Sequence, residues 1–106
     1  MSWRLTEVET ELSIEATVLR GWIDQRWIRP ISAEGEPLFD EADVARARLI
    51  RELKQDLSVG DEAMPIVLQL LDQVYALRRA LSDLTRAIKA CPEEVQSAIA
   101  DKLKAN

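Results

Sequence analysis

The side chains that could do chemistry here are few and of limited kinds. Arg20 and Arg26 stand among apolar residues in the first half, beside Asp24. Trp22 and Trp27 lie in the same stretch, and Asp40, Glu41 and Asp43 form a cluster shortly after it. The chain contains no histidine and one cysteine, Cys91. Without histidine there is no Ser-His or Cys-His nucleophilic pair, no imidazole acid or base, and no imidazole metal ligand. One cysteine forms neither an intrachain disulfide nor a multi-cysteine zinc site. No glycine-rich phosphate loop is present, and Asp61-Glu62 read as acids at a helix start. The chain is therefore expected not to be an enzyme, with no catalytic residue, no metal site and no cofactor.

What remains is binding. Arg20 and Arg26 could touch phosphates or base edges from a helix in a groove, or they could be part of a solvated face. Charge favours the second reading. The first sixty residues hold eight basic and twelve acidic side chains, and the whole chain holds 14 and 19, a net charge of −5. Since neutralising phosphates supplies much of the affinity for nucleic acid, DNA binding is not expected. Trp22 shares an apolar helix face and reads as core. Trp27 lies off that face. It either covers the base of a hairpin or is an exposed aromatic anchor for a partner. Asp40 and Asp43 have the spacing of a helix cap and its third residue.

These groups must be positioned by a small helical fold. With 106 residues, 47% of them apolar, 3 Gly and 4 Pro, the chain has the composition of one helix-rich unit with a modest core. Its longest wholly apolar run, 64–68, cannot span a bilayer. The N-terminus has no signal-peptide pattern, and the single cysteine suits a reducing cytoplasm. Residues 1–60 read as short elements. Thr6 caps a first helix and Ser13 a second, the latter carrying Ile14, Val18, Leu19, Trp22 and Ile23 until Pro30 ends the segment. A small hairpin turns at Gly35. Asp40 caps a third helix, whose buried stripe is Val44, Ala47, Leu49, Ile50 and Leu53, and Gly60 breaks it.

Residues 61–106 are continuous and periodic. A long helix is expected from Asp61 to about Ala90. Along it Val67, Leu70, Val74, Leu77, Leu81, Leu84 and Ile88 alternate by three and four, which makes three heptads of an a/d seam. A second stripe, Met64, Leu68, Leu71 and Tyr75, occupies only its start, where the helix should also pack on the N-terminal domain. The late seam would be a bare apolar patch unless paired, so a homodimer through these seven residues is expected. Pro92 opens a last helix with Val95, Ile99 and Leu103. The fold class is all-α with a minor β wing: a winged helix-turn-helix over 1–60, then a helical dimerisation region with a short C-terminal helix over 61–106.

Leu5-Thr6-Glu7-Val8, Leu12-Ser13-Ile14, Val18-Leu19-Arg20-Gly21-Trp22-Ile23, Ile28-Arg29-Pro30 and Phe39-Asp40-Glu41-Ala42-Asp43-Val44-Ala45-Arg46 together resemble the MerR-type winged helix-turn-helix. Trp27-Ile28-Arg29-Pro30, Phe39-Asp40, Leu49 to Leu57 and Met64 to Arg78 resemble more closely the CbpM-type chaperone modulators, with similarity over about residues 4–88. That resemblance implies a partner, the J-domain of a CbpA- or DnaJ-like co-chaperone, and inhibition of its action on a DnaK-type chaperone. It also gives the acidic cluster a second meaning. A J-domain presents a basic helix, and an inhibitor would compete for it with an acidic surface. On this reading Trp27, Asp40, Glu41, Asp43, Glu52 and Asp56 are the partner-binding residues, with Glu34 and Glu36 as possible extensions. A MerR-like DNA-binding transcription regulator is the alternative function, and a purely structural dimerisation module is a third.

Overall fold

The computed structural model describes residues 1–105. Its elements are β1 (Trp3–Arg4), α1 (Leu5–Leu12), α2 (Ala16–Asp24), β2 (Ile31–Ala33), β3 (Glu36–Phe39), α3 (Glu41–Gln55), α4 (Met64–Lys89) and α5 (Glu93–Lys104). The fold is mostly helical with one small antiparallel sheet, ordered β1-β3-β2. The chain divides into two compact units, Met1–Ile66 and Val67 onward.

Local chemistry explains the elements of the first unit. The helix α1 starts one residue before the expected cap at Thr6. Arg4 is its extended N-cap residue, and its backbone N–H donates to the Glu7 carboxylate at 3.0 Å. Ser13 does not open the second helix. It ends the first, in a left-handed conformation with φ 54°, while the Ile14 N–H donates back to the Glu9 carbonyl at 3.2 Å. Such a left-handed terminator satisfies carbonyls that the last turn leaves open. The residue Ile14 is therefore buried in the turn rather than on α2, and Val18 is exposed. Of the expected α2 face, Leu19 and Trp22 are in the core and Ile23 is half-buried.

The hairpin is present, β2 pairing β3 with Ala33 opposite Glu36. Its two-residue turn, Glu34-Gly35, has positive φ at both positions, 55° and 81°. That is the turn whose twist matches paired strands, and glycine takes its second place without strain. A further strand, β1, too short to show in the apolar periodicity, sets Trp3 opposite Phe39 and Arg4 opposite Leu38. Asp40 caps α3 as expected. Val44, Ala47, Ile50 and Leu53 point into the core with Phe39, Leu12, Leu19, Ile28, Val8 and Met64. Leu49 is half-buried. After α3 the left-handed residue is Ser58, φ 54°, and Gly60 instead starts the turn into α4 by accepting from the Ala63 and Met64 N–H groups at 3.1 and 3.0 Å.

In the long helix the expected start at Asp61 moves to Met64, because residues 61–63 form that turn. Pro65 then falls in the first helical turn, where its missing N–H has no intrahelical partner to lose. Met64 and Leu68 of the second stripe are buried, Leu71 is half-buried and Tyr75 exposed. Pro92 is the N-cap residue of α5 rather than its first helical residue. No helix among the described residues is long and apolar enough to cross a membrane.

Candidate functional site

Three side-chain contacts tie together α1, α2, α3 and the segment that leads into the wing (β2, β3), and none follows from local spacing. The Glu9 carboxylate on α1 accepts the Ala16 N–H at 2.6 Å, putting an acid at the N-terminus of α2 where the helix dipole favours it. Arg51 on α3 donates to the Leu12 carbonyl at the end of α1. Arg46, also on α3, donates to the Trp27 carbonyl before the wing. The second helix of this helix-turn-helix, the element that would read a groove, is therefore held at its N-terminus by Glu9, while Arg51 and Arg46 hold the chain before and after it.

Its one arginine is engaged. Arg20 Nη2 lies 3.2 Å from Glu36 Oε2 on β3, so the guanidinium crosses to the wing. Arg20 also lines two hollows. One, of about 340 Å³, runs along Ile23, Asp24, Pro30 and Ile31. The other, of about 540 Å³, runs along Arg4, Thr6 and Glu34. Arg26 is not on α2. It is an exposed residue of the closing turn, left-handed at φ 64°.

The six residues expected to bind a partner separate into three groups. Glu41, Glu52 and Asp56 are exposed, and at 100° per residue they fall on one outer face of α3 with Ala45 and with Arg48 between them. Asp40 and Asp43 form a reciprocal cap. The Asp43 N–H donates to Asp40 Oδ1 at 2.7 Å, and the Asp40 N–H donates to Asp43 Oδ2 at 3.0 Å. Burial raises the Asp43 pKa, opposed by the Asp40 backbone donor and assisted by the neighbouring Asp40 charge. Asp43 is half-buried, so capping accounts for its position.

Trp27 is the third group, and the reading of it as an exposed anchor is corrected. It is 5% exposed. The cause is the end of α2. With Arg26 left-handed, the Trp27 N–H turns back to the Trp22 carbonyl at 2.9 Å and the ring enters the core. Lys54 Nζ sits 5.6 Å from the ring centroid and also pairs with Asp61. The indole N–H is buried without an acceptor, a destabilising feature.

Within the second unit, Leu70, Val74, Leu77, Leu81 and Leu84 are exposed, and Val67 and Ile88 half-buried. At 69% and 64% exposure, Leu77 and Leu81 are almost bare. No group of histidine, cysteine and carboxylate side chains among the described residues could hold a metal ion.

The sequence pattern of the MerR HTH family of regulatory proteins matches residues 3–86. No curated protein matches the chain, and no solved structure does.

Proposed function

The chain belongs to the MerR HTH family of regulatory proteins, and we propose, on its resemblance over about residues 4–88, that it is a CbpM-type chaperone modulator. It binds the J-domain of a CbpA- or DnaJ-like co-chaperone and inhibits stimulation of the DnaK-type chaperone. It acts in the cytoplasm as a binding protein without catalysis, and as a homodimer through the exposed seam of α4. The observation that carries this reading is the exposed face of α3, where Glu41, Glu52 and Asp56 line one side, three acids with Arg48 as the cation between them. A basic helix meets complementary charge there, and steering by opposite charge speeds encounter. Inhibition is by occupancy: the covered J-domain helix is no longer open to the ATPase. Calorimetric titration against an isolated J-domain, with J-domain-stimulated ATP hydrolysis as second readout, tests it.

A second reading, a DNA-binding regulator, draws on the helix-turn-helix itself. The Arg20–Glu36 pair weighs against it, since the arginine best placed to meet phosphate already has a carboxylate.

A further inference from the structure

The helix α3 carries four cations, Arg46, Arg48, Arg51 and Lys54, and the fold uses three of them. Arg46 donates to the Trp27 carbonyl and Arg51 to the Leu12 carbonyl. Lys54 lies over the Trp27 ring and pairs with Asp61. Arg48 does none of this. It is exposed, and no side-chain hydrogen bond or ion pair joins it to another described residue. Its own helix offers it no good partner either. Ala45 and Val44 stand three and four residues before it, and Arg51 three after it. Glu52 follows at four, but a cation one turn ahead of its acid is the less favourable order along a helix. The other acids of this face, Glu41 and Asp56, are seven and eight residues away, about 10 and 12 Å along the axis. Glu41, Glu52 and Asp56 are exposed and, among the described residues, as unpaired as Arg48. One unpaired cation thus divides a face that is otherwise acidic.

Neither capping nor packing accounts for Arg48. Against a uniformly basic partner it would be a fault, because a cation would be set opposite it and like charges face to face oppose binding. We infer that the helix received on this face has mixed charge, with one carboxylate opposite Arg48 and cations opposite Glu41, Glu52 and Asp56. On a helix lying along α3 these charges recur at the spacing of the face itself: a cation, a carboxylate seven residues away, then cations after a further four and eight. The planar guanidinium holds such a carboxylate through two parallel hydrogen bonds, which fixes the register of the two helices. The acids draw in a basic helix, and Arg48 rejects one that lacks the acid. Arg48 is therefore the specificity residue of this surface. The inference rests on the co-chaperone reading above and states what the J-domain helix must carry.

Calorimetric titration and binding kinetics of the full chain against the isolated J-domain of a CbpA- or DnaJ-like co-chaperone test it. Arg48→Gln should weaken binding about fivefold, mainly through faster dissociation. Arg48→Glu makes the face wholly acidic, yet should weaken binding about twentyfold. Arg48→Lys keeps the charge without the fork and should recover part of the loss. Urea unfolding of Arg48→Gln should match the parent, since Arg48 makes no contact in the fold. Against Arg48→Glu, changing the carboxylates of the J-domain helix to Lys one at a time should find one that restores binding, as reversing both members of a pair does. An Arg48→Glu protein that binds as well as the parent, or better, shows a uniformly basic partner and overturns the inference while the co-chaperone reading stands. Failure of every carboxylate reversal to restore binding overturns it too, and again leaves that reading in place. An unmutated protein that does not bind the J-domain ends both.

Discussion

Arg20 on α2 and Glu36 on β3 are joined at 3.2 Å, so the helix that would read DNA is tied to the wing beside it. The pair is open to solvent, with side chains 52% and 70% exposed. Exposed pairs contribute about 0–1 kcal/mol to stability. The contact therefore matters less as a brace than as local neutralisation of a surface that phosphate binding would need positive.

In a gel shift at moderate salt the protein should form no sequence-selective complex with duplex DNA. Glu36→Gln frees Arg20 and should leave the unfolding free energy within about 1 kcal/mol of the parent. A selective complex that disappears in Arg20→Ala would promote the regulator reading over the chaperone one.

Asp40→Ala removes the side-chain acceptor of the α3 cap. The loss should be about 1 kcal/mol, in the range measured for N-cap residues. Asp40→Ser, which restores an acceptor, should recover most of it. Urea unfolding at fixed protomer concentration reads both, since a dimer's stability depends on concentration.

Asp43 gives the cap a pH dependence of known sign. Burial raises its folded pKa above the unfolded one, so the folded state holds that proton more tightly. The associated stability is fully present below the unfolded pKa and is lost as pH rises through the folded pKa. Asp43→Asn cannot ionise. Its stability relative to the parent should therefore increase with pH across the acid range, then level off. A difference that is flat, or that falls with pH, would contradict the burial of this carboxylate.

The apolar periodicity made α3 and α4 legible, and their caps nearly so. Asp40 with Asp43 three residues on is a local signal, and the structure realises it as read. The turns were less legible. Ser13, Arg26 and Ser58 all take left-handed backbone without being glycine, and glycine is the usual mark of that conformation. Reading Ser13 as a start, and not as an end, displaced α2 from its true N-terminus. Spacing alone leaves Trp27 off the apolar face, whereas its burial depends on Arg26 turning the chain. At the candidate site Glu41, Glu52 and Asp56 could be grouped by helical spacing alone. The Arg20–Glu36, Arg46–Trp27 and Arg51–Leu12 contacts could not, since they join residues distant in sequence and set by tertiary packing.

Leu77→Lys with Leu84→Lys should give a monomer while preserving the first unit. Both leucines are well exposed in the isolated chain, so the lysines cost the monomer little, whereas pairing would bury them. Sedimentation of the parent at tens of micromolar (about the range in which a stable interface holds) should show a dimer, and the variant should not. An unmutated protein that sediments as a monomer there removes the seam as an interface.

The co-chaperone reading makes the strongest demand. The protein should bind an isolated J-domain, with heat in a calorimetric titration, and slow J-domain-stimulated ATP hydrolysis by the DnaK-type chaperone. If the α3 face carries the contact, Glu41→Lys, Glu52→Lys and Asp56→Lys together should lower the association rate about tenfold at low salt, and less at high salt, where screening already weakens steering. These side chains are exposed, lie outside the Asp40–Asp43 cap and make none of its hydrogen bonds, and Asp56 closes the other end of α3 through its backbone N–H, so helical circular dichroism should be nearly unchanged. Asp43→Asn should then bind almost as the parent does, because its carboxylate already serves the Asp40 N–H. That contrast separates a recognition face from a general effect of negative charge. A chain ending near Ala90 should still bind, because the family pattern ends before it, at residue 86. Absence of heat and of co-elution with both proteins folded would refute the co-chaperone as partner. Binding that survives the triple reversal would keep the partner and move the contact to another surface, with the hollow along Ile23, Pro30 and Ile31 beside Arg20 the next to mutate.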